Sequence, residues 1–481
     1  MAGEIGRNVA DFFGLAADGS VTGILSVLVF GAGTNYALLL IARYREELLK
    51  FEDRHEAMAK ALKGVAPAIL ASGGTVVLAL LTLAFAELGV TRALGVVCAT
   101  GIVVAMISAL GVLPAAIVIF GRGLFWPFVP RFGGVNKSET GWWAKLGTGV
   151  SKRPVTVAIV GVAILGGLSF GSAGVTIGIP ETEQFRVKPE AVLGIEVLGK
   201  AFPAGESSPT QVVANNDFAD DVVEAALTLD VVASAEVVNF NDTVSRIDVV
   251  LDAEGGSDEA YVAIVDLREA VQSVAGAGAL VGGDDATRLA VKETYERDQL
   301  LVIPLILILV FLVLVILLRA LLAPILLLSS VVLSFFSAIG AAWLLFENVF
   351  GMSGLDFSVF LYSFLFLVAL GVDYNIFLVS RAREEAANLA GTVGQPTRQA
   401  MVKALGATGG VITSAGVLLA AVFAVLGVLP LIALFQVGII VGIGVLIDTL
   451  LVRTVVVPAT AFIAGDKFWW PRKQMTASKF G

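Results

Sequence analysis

The chain has 481 residues, of which 57% are hydrophobic and 15% charged, with a net charge of −9 at pH 7. Soluble domains are about 45–50% apolar and about 25% charged, so the composition excludes an ordinary soluble protein. With one cysteine (Cys98) and one histidine (His55), the chain has neither an internal disulfide nor the ligands for a zinc site. We therefore expect no metal, no cofactor, no enzymatic activity and no nucleic-acid partner.

Uninterrupted apolar segments predict helices that cross a membrane. Residues 300–318 carry no charge over 19 positions, which is roughly the length that a spanning helix needs at about 1.5 Å per residue. Eight further segments are comparable, and the sequence therefore predicts a polytopic α-helical membrane protein. The expected spans are about 21–42, 65–86, 92–120, 154–174, 299–318, 322–346, 357–380, 409–428 and 432–463.

Charge separates the parts of the chain between these spans. Residues 175–298 hold 24 Asp and Glu against 8 Lys and Arg, a net charge of −16, whereas the rest of the chain sums to +7. Because Lys and Arg gather in cytoplasmic loops, we place residues 175–298, here called the outer domain, outside the cell membrane. The predicted parts are 1–133 with three spans, 134–153 as a cytoplasmic linker, 154–174 as one span, 175–298 as the outer domain, 299–464 with five spans and 465–481 as a cytoplasmic tail.

The outer domain has the pattern of an α/β fold. The segments TQVVAN, AEVVNF and SRIDVVLD run apolar or alternate as strands do, and GALVGG offers another short strand. Residues 257–275 predict a helix with Ser257 as its N-cap, and the helix after GALVGG is expected to continue into the fifth span. Two β-α-β-like units of this size predict a ferredoxin-like module.

The chain contains an internal repeat. Asn35–Tyr36, in GAGTNYALLLIARYREE, matches Asp373–Tyr374, in LGVDYNIFLVSRAREE, at an offset of 338. Colinear matches of this kind indicate two halves of one fold. Further matches at offsets up to 344 are Arg43 and Arg45 with Arg381 and Arg383, Ser72 with Ser414, Pro114 with Pro458, and Trp126–Pro127 with Trp470–Pro471.

The two halves are unequal. Residues 1–20 align with about 339–358, and nothing in the first half corresponds to residues 151–338. A complete molecule of this design would have about 12 spans and two outer domains. We therefore expect the chain to begin late, with the missing N-terminal portion encoded upstream or supplied by another copy or a partner.

The arrangement resembles the resistance–nodulation–division (RND) superfamily, and the motifs resemble its MMPL (mycobacterial membrane protein large) branch. The residues that carry the resemblance, in chain order, are GAGTNYALLLIARYREEL, RDQLLVIPLILILVFLVLVILLRALLAPILLL, GVDYNIFLVSRAREE and GVLIDTLLVRTVVVPA. The resemblance implies a bacterial inner-membrane exporter of a lipid-like molecule or hydrophobic drug, driven by proton entry. It also implies a proton relay through paired Asp-Tyr motifs, here Asp373–Tyr374 and Asn35–Tyr36.

Two acids lie near the expected membrane midplane. Asp373 and Asp448 each fall about 16 residues into a span, where an ionisable group costs about 2.5–3.5 kcal/mol on insertion scales and usually marks a pathway. We interpret Asp373 as the proton carrier, with a carboxylate satisfied by neighbouring hydroxyls as the alternative. For Asp448, the alternative to a second relay carboxylate is a structural pair with Arg453. Direct pairing is awkward, because five residues turn about 140° around an α-helix, so snorkelling of Arg453 to the cytoplasmic face is the simpler arrangement.

Asn35 departs from the family pattern. An amide forms hydrogen bonds as a carboxyl group does, but it exchanges no proton at physiological pH. The first motif copy thus keeps the hydrogen-bonding geometry with Asn35, and the second copy keeps the ionisable group with Asp373. The expected relay comprises Asp373, Tyr374, Asn35, Tyr36 and Asp448. The alternative for the two tyrosines is that they are ordinary aromatic residues of the core.

Other polar residues carry weaker signals. Ser72 and Ser414 fit close helix packing better than a relay. Glu87 and Glu347 lie at the outer ends of spans, where water is close, and receive no assignment.

Three functions are compatible with these patterns. The first is proton-driven export of a hydrophobic or lipid-like molecule, with membrane lipids, protons and that substrate as partners. The second is a non-transporting sensor or assembly partner with the same fold, and the third is an inactive fragment of a shortened transporter gene. The midplane pair Asp373–Tyr374 favours export, because a sensor needs no titratable group there.

Overall fold

A computed structural model describes residues 2–16, 18–134, 141–180, 183–201, 208–388 and 396–471. Among these residues, nine helical runs are long and apolar enough to cross a membrane, which confirms the predicted polytopic architecture. Residues 135–140 of the predicted linker and 472–481 of the predicted tail lie outside the described part. The runs are Gly19–Glu47, Arg54–Phe85, Gly89–Phe125, Pro154–Gly174, Asp284–Leu318, Leu322–Phe350, Phe357–Ala387, Thr397–Val428 and Ile432–Trp469.

The helices of the first half precede the linker helix. They are α1 (Ala2–Phe12), α2 (Gly19–Glu47), α3 (Arg54–Leu81), α4 (Gly89–Ile107) and α5 (Leu113–Phe120), followed by α6 (Trp142–Lys152) in the linker. Asp18 and Asp53 cap α2 and α3 by accepting from the backbone N–H groups of Val21 and His55, the third and second residues of those helices, as expected for N-cap residues.

The second half opens with α7 (Pro154–Phe170), which leads to the outer domain. After that domain come α11 (Asp284–Leu318), α12 (Leu322–Leu345), α13 (Phe357–Asn388), α14 (Pro396–Ala424), α15 (Ile432–Ile447) and α16 (Val457–Ala464). The α7 and α12 backbones cross closely at Gly171 and Gly340, since a Cβ on Gly171 would lie 2.7 Å from the Gly340 carbonyl oxygen.

The outer domain contains a four-stranded antiparallel sheet in the order β2-β3-β1-β4. This succession and order are those of a ferredoxin-like β-α-β-β-α-β module, as the sequence predicted. Ser257 caps α10 by accepting from the Ala260 N–H group. The elements are α8 (Glu190–Ala201), β1 (Thr210–Asn215), α9 (Ala219–Leu227), β2 (Val232–Phe240), β3 (Val244–Leu251), α10 (Asp258–Gln272) and β4 (Leu280–Gly282).

One uninterrupted helix leaves the outer domain and crosses the membrane. α11 has 35 residues, which at about 1.5 Å per residue gives about 52 Å. Its first turns pack beside β1, β4 and α10, and its later turns pack against α3, α12 and α13. The outer domain is therefore rigidly continuous with the fifth span.

The internal repeat extends to irregularities of the backbone. Each half has a π-helical stretch in its last span, at Ser108–Val112 and Asp448–Val456, before the proline that opens α5 or α16. Each half also has a 3₁₀ turn at the outer end of an earlier span, at Thr82–Phe85 and Val425–Val428. The 3₁₀ turns keep an offset of 343 and the ends of the π-helical stretches an offset of 344, so the repeat is structural as well as sequential.

α13 is the central helix of the bundle. Within its membrane window, 89% of residues are buried, the largest share among the nine described runs. The halves cross reciprocally, because α13 packs against α3 of the first half whereas α2 packs against α14 of the second. The motif residues of α2 and α13 therefore face the interface between the halves.

Candidate functional site

Asp373 lies in the centre of the interface between the halves. Its side chain is 1% exposed, and neither carboxylate oxygen has a hydrogen-bond partner among the described residues. The Ser72 hydroxyl on α3 faces both Asp373 and the Tyr36 hydroxyl. The Tyr36 hydroxyl lies against Gly73, where a Cβ would approach it to 3.0 Å. Asp373, Tyr36 and Ser72 thus form one buried group drawn from both halves.

Asn35 is buried on α2, one residue before Tyr36. Its carbonyl oxygen has no hydrogen-bond partner in the part of the chain that the structure describes, and the same holds for both Asp373 oxygens. Asn35 therefore lines the interface as a polar group without a direct hydrogen bond to Asp373.

Tyr374 points to a different neighbour from Asp373, because adjacent residues on a helix lie about 100° apart. The Arg453 guanidinium lies over the Tyr374 ring, 4.2 Å from its centre. Arg453 also donates to the Gly371 carbonyl oxygen at 3.2 Å and forms an ion pair with Asp448. Asp373 therefore faces the first half, while Tyr374 faces a buried ion pair of the second half.

The expectation that Asp448 and Arg453 would pair awkwardly was wrong, as was the expectation that Arg453 would snorkel. Arg453 is 1% exposed and directed inward. Asp448–Val456 is a π-helix, whose hydrogen bonds join residues five apart, so a five-residue spacing brings both side chains to one side. The α-helical angle of 140° does not apply to this stretch.

Pro458 supplies a physical reason for the π-helix. Proline has no N–H group, and its ring crowds the carbonyl four residues earlier, which here is Thr454, inside the π-helical stretch. Pro114 stands in the same relation to Leu110 in the first half. The two prolines, already aligned by the repeat, were the sequence signal that could have predicted the Asp448–Arg453 pair.

A small cavity of about 10 Å³ adjoins this ion pair, roughly the space that one water molecule needs. Its lining includes Ser334, Tyr374, Asp448 and Arg453. The Ser334 and Tyr374 hydroxyls and one Asp448 oxygen lack hydrogen-bond partners among the described residues. Ser334 was not predicted from the sequence, since it lies on α12, outside every repeated motif.

A larger cavity of about 200 Å³ opens one turn beyond Asp373, toward the predicted cytoplasmic ends of α2 and α13. Its walls pair residues from the two copies of the motif at the offset of 338, and it therefore lies on the axis that relates the halves. These pairs are Leu39 with Phe377, Ala42 with Ser380, Arg43 with Arg381, and Glu46 with Glu384.

Each arginine at this cavity is held by carboxylates of its own helix. Arg43 pairs with Glu46 and Glu47, both at 3.1 Å, and Arg381 pairs with Glu384 at 3.0 Å and Glu385 at 2.9 Å. These intrahelical pairs leave the space between α2 and α13 open at the cytoplasmic end.

The two predicted serines have different surroundings. Ser72 is fully buried beside Asp373 and Tyr36, whereas Ser414 is exposed and donates to the Val411 carbonyl oxygen of its own helix. The repeat marked both serines as candidates, but the sequence could not tell which of them faces Asp373.

Chemically, the site offers one acid without a direct partner, hydroxyl groups on two sides, and polar space toward one end of the bundle. An ionised carboxylate is costly to bury unless hydrogen bonds compensate it, so the charge of Asp373 determines how strongly it attracts the hydroxyl groups beside it. The neighbouring Asp448 is engaged in an ion pair with Arg453.

Comparison with known proteins agrees with this architecture. Residues 5–157 and 197–480 match the family model described as MMPL family. The membrane protein ActII-3 of Streptomyces coelicolor is 44% identical over 461 residues, which cover 95% of this chain and 64% of that protein. The apo-petrobactin exporter of Bacillus anthracis is 35% identical over 491 residues, covering 97% of this chain and 65% of the exporter.

A shorter match reaches a mycobacterial protein. The acyltrehalose exporter MmpL10 of Mycobacterium tuberculosis is 39% identical over 211 residues, covering 43% of this chain and 20% of the exporter. The chain thus spans less than two thirds of the length of these curated relatives. The family match extends over both halves and the buried Asp-Tyr site, and this multi-pass bacterial membrane protein belongs to the MMPL family of the RND superfamily.

Proposed function

We propose that the protein is a transporter, not an enzyme, and that it exports a hydrophobic or lipid-like molecule using the proton gradient. The observation that carries this proposal is the fully buried Asp373 carboxylate, which has no direct partner among the described residues and lies between the halves. A carboxylate in the membrane interior is costly to maintain and usually marks an ion pathway. The names of two relatives, which export apo-petrobactin and acyltrehalose, support an amphiphilic substrate.

In this proposal, Asp373 takes a proton from the outer side and releases it toward the cavity between Arg43 and Arg381. Ser72 and Tyr36 donate hydrogen bonds to the ionised carboxylate and so stabilise it. Tyr374 connects the same helix turn to the Arg453–Asp448 ion pair. Neutralisation of Asp373 weakens the hydrogen bonds from Ser72 and Tyr36, which changes how α13 packs against α3 and α2.

Proton entry is best tested in a form that does not require the natural substrate. The purified protein is reconstituted in liposomes filled with pyranine, a pH-sensitive dye, and the outside is acidified. A fluorescent acyl-glycolipid is then supplied as the probe, and its movement between leaflets is followed by quenching. Proton entry that increases with the probe supports export. A protein that binds the probe without proton entry would support the sensor, and one inert in both assays would support the inactive fragment.

Asn35 provides a first test of the interface. Asn35→Leu removes the buried polar side chain of the first motif copy, and we expect proton entry to fall, because an interface that holds an ionised carboxylate loses polar surroundings at a cost of about 1–3 kcal/mol. Asn35→Asp should keep proton entry, since a carboxyl group offers the same acceptors. If Asn35→Leu matched the wild type, Asn35 would have no part in the site.

The cavity beyond Asp373 provides a second test. Ser380→Trp places an indole in the space of about 200 Å³, and we expect proton entry to slow about tenfold or more, equivalent to at least about 1.4 kcal/mol of barrier. Ser414→Trp is the matched control, because Ser414 is exposed on α14. Equal rates for the two variants would place the proton path elsewhere.

A further inference from the structure

The outer domain holds the first half of the bundle through α11. The Asp298 carboxylate, 2% exposed, accepts a hydrogen bond of 2.9 Å from the backbone N–H group of Glu87, in the turn between α3 and α4. The Glu87 side chain forms an ion pair with Arg297. These contacts, here called the first grip, join residues 211 positions apart in the chain.

The same turn of α11 also reaches the central helix. The Tyr362 hydroxyl on α13 lies 3.4 Å from the Tyr295 hydroxyl on α11 and 3.2 Å from the Thr91 hydroxyl on α4. The Tyr295 and Tyr362 rings pack edge to face. α4, α11 and α13 thus meet at one buried polar point near the outer end of the bundle.

The segment that enters the outer domain holds the second half in an equivalent place. The Arg186 N–H group donates to the Pro430 carbonyl oxygen at 2.9 Å, and the Ile432 N–H group donates to the Gln184 carbonyl oxygen at 3.1 Å. The Arg186 guanidinium donates to the Gly427 carbonyl oxygen and lies over the Phe435 ring at 5.5 Å. We call these contacts the second grip.

The two grips fall on turns that the repeat makes equivalent. The first grip holds the turn after the 3₁₀ segment Thr82–Phe85, and the second holds the turn after Val425–Val428, at an offset of 343. The chain enters the outer domain at one grip and leaves it at the other. A rotation of the outer domain therefore acts on the two halves at corresponding points.

From this arrangement we infer that Arg186, Arg297 and Asp298 are positioning residues. They couple movement of the outer domain to the contact between α3 and α13, here called the gap, where Asp373 lies. The role of this coupling in export rests on the proposed function. The coupling itself, a mechanical link between the outer domain and the surroundings of Asp373, does not. Because α11 is one continuous helix, a tilt of the outer domain reaches the first grip without loss in a flexible linker. The Arg297–Glu87 ion pair is exposed, and an exposed ion pair contributes little to folding stability. Its effect is therefore measured as coupling between the outer domain and the helix bundle.

The mechanical part is tested with a thiol reporter at the site. In a Cys98→Ala background, which removes the only native thiol, Ser72→Cys reports how readily a small maleimide reaches the gap. Arg297→Glu replaces the cation that faces Glu87 by a third acid at the first grip and should raise the labelling rate several-fold. The double variant Arg297→Glu/Glu87→Arg restores an ion pair of reversed polarity and should return the rate to its starting value.

The matched control is Lys292→Glu. Lys292 lies on α11, as Arg297 does, but its ion pair of 3.1 Å is with Asp258 of α10, within the outer domain. This variant should leave the labelling rate unchanged. Equal labelling rates in the Ser72→Cys reporter and in its Arg297→Glu, reversed-pair and Lys292→Glu variants would overturn the coupling. A reversed pair whose labelling rate does not return to the starting value would also overturn it.

A second measurement separates this inference from the proposed function. With Ser72 restored, the ratio of acyl-glycolipid moved to protons entered is measured in the pyranine liposomes. Arg297→Glu should keep proton entry and lose probe movement, and the reversed pair should recover it. If labelling responds while the wild type moves neither protons nor probe, the coupling stands and the export proposal fails.

Discussion

Replacing Asp373 by Asn should abolish proton entry and export while leaving the protein folded in the membrane. Asparagine has nearly the same shape and accepts hydrogen bonds, but its amide does not change protonation state at physiological pH. The buried site also becomes easier to maintain, because a neutral amide costs less to desolvate than a carboxylate. We expect pyranine-filled liposomes with Asp373→Asn to acidify no faster than liposomes without protein.

The matched control is Glu347→Gln, which neutralises an exposed acid at the outer end of a span. It should retain the wild-type rate of proton entry. Probe movement that persists in Asp373→Asn and still depends on the gradient would mean that another group carries the proton, with Asp448 as the first alternative.

Replacing Asp448 by Leu should destabilise the protein strongly. The change leaves the Arg453 guanidinium buried without its carboxylate partner, and removing one member of a buried ion pair costs about 3–5 kcal/mol. The remaining contacts of Arg453, with the Gly371 carbonyl oxygen and the Tyr374 ring, do not neutralise its charge. We expect a large decrease in the temperature at which the detergent-solubilised protein loses its helical circular dichroism.

The double variant Asp448→Leu/Arg453→Leu distinguishes an unpaired charge from a loss of packing. Replacement of both charged partners by apolar residues is often neutral or stabilising, so most of the lost stability should return. Asp248→Asn, which breaks the exposed pair with Arg246 on β3, should change little. A double variant as unstable as Asp448→Leu would show that the π-helix itself requires the charges.

Much of the fold could be predicted because its signals are local. The charge-free residues 300–318 and the alternation in TQVVAN each report the environment of their own element. The continuation of α11 from the outer domain into the membrane could be predicted, because its first residues are polar and its later residues are apolar without a break between them. By contrast, the hydrogen bond between Asp298 and the Glu87 N–H group joins distant parts of the chain. Asp298 stands in the segment RDQLLVIP, but Glu87 stands in no motif, so no pattern linked the two residues.

The candidate site was predictable to the extent that the repeat marked it. Asp373, Tyr374 and Tyr36 were selected through their matching positions, and Tyr36 and Asp373 do meet, with Ser72 between them. The Asp448–Arg453 pair was misjudged because helical periodicity assumes 3.6 residues per turn throughout. A proline-induced π-helix changes that spacing without any change in hydrophobic pattern. The roles of these residues in proton transfer stay predictions.

The π-helices also show what the charged pair contributes to the backbone. In the first half, the positions of Asp448 and Arg453 are held by Val104 and Ala109 at the offset of 344, yet Ser108–Val112 is still π-helical before Pro114. The irregular turn thus forms without a charged pair. The proline that both halves share is a sufficient cause for the turn, and the second half carries an aspartate and an arginine on a backbone that does not depend on their charges.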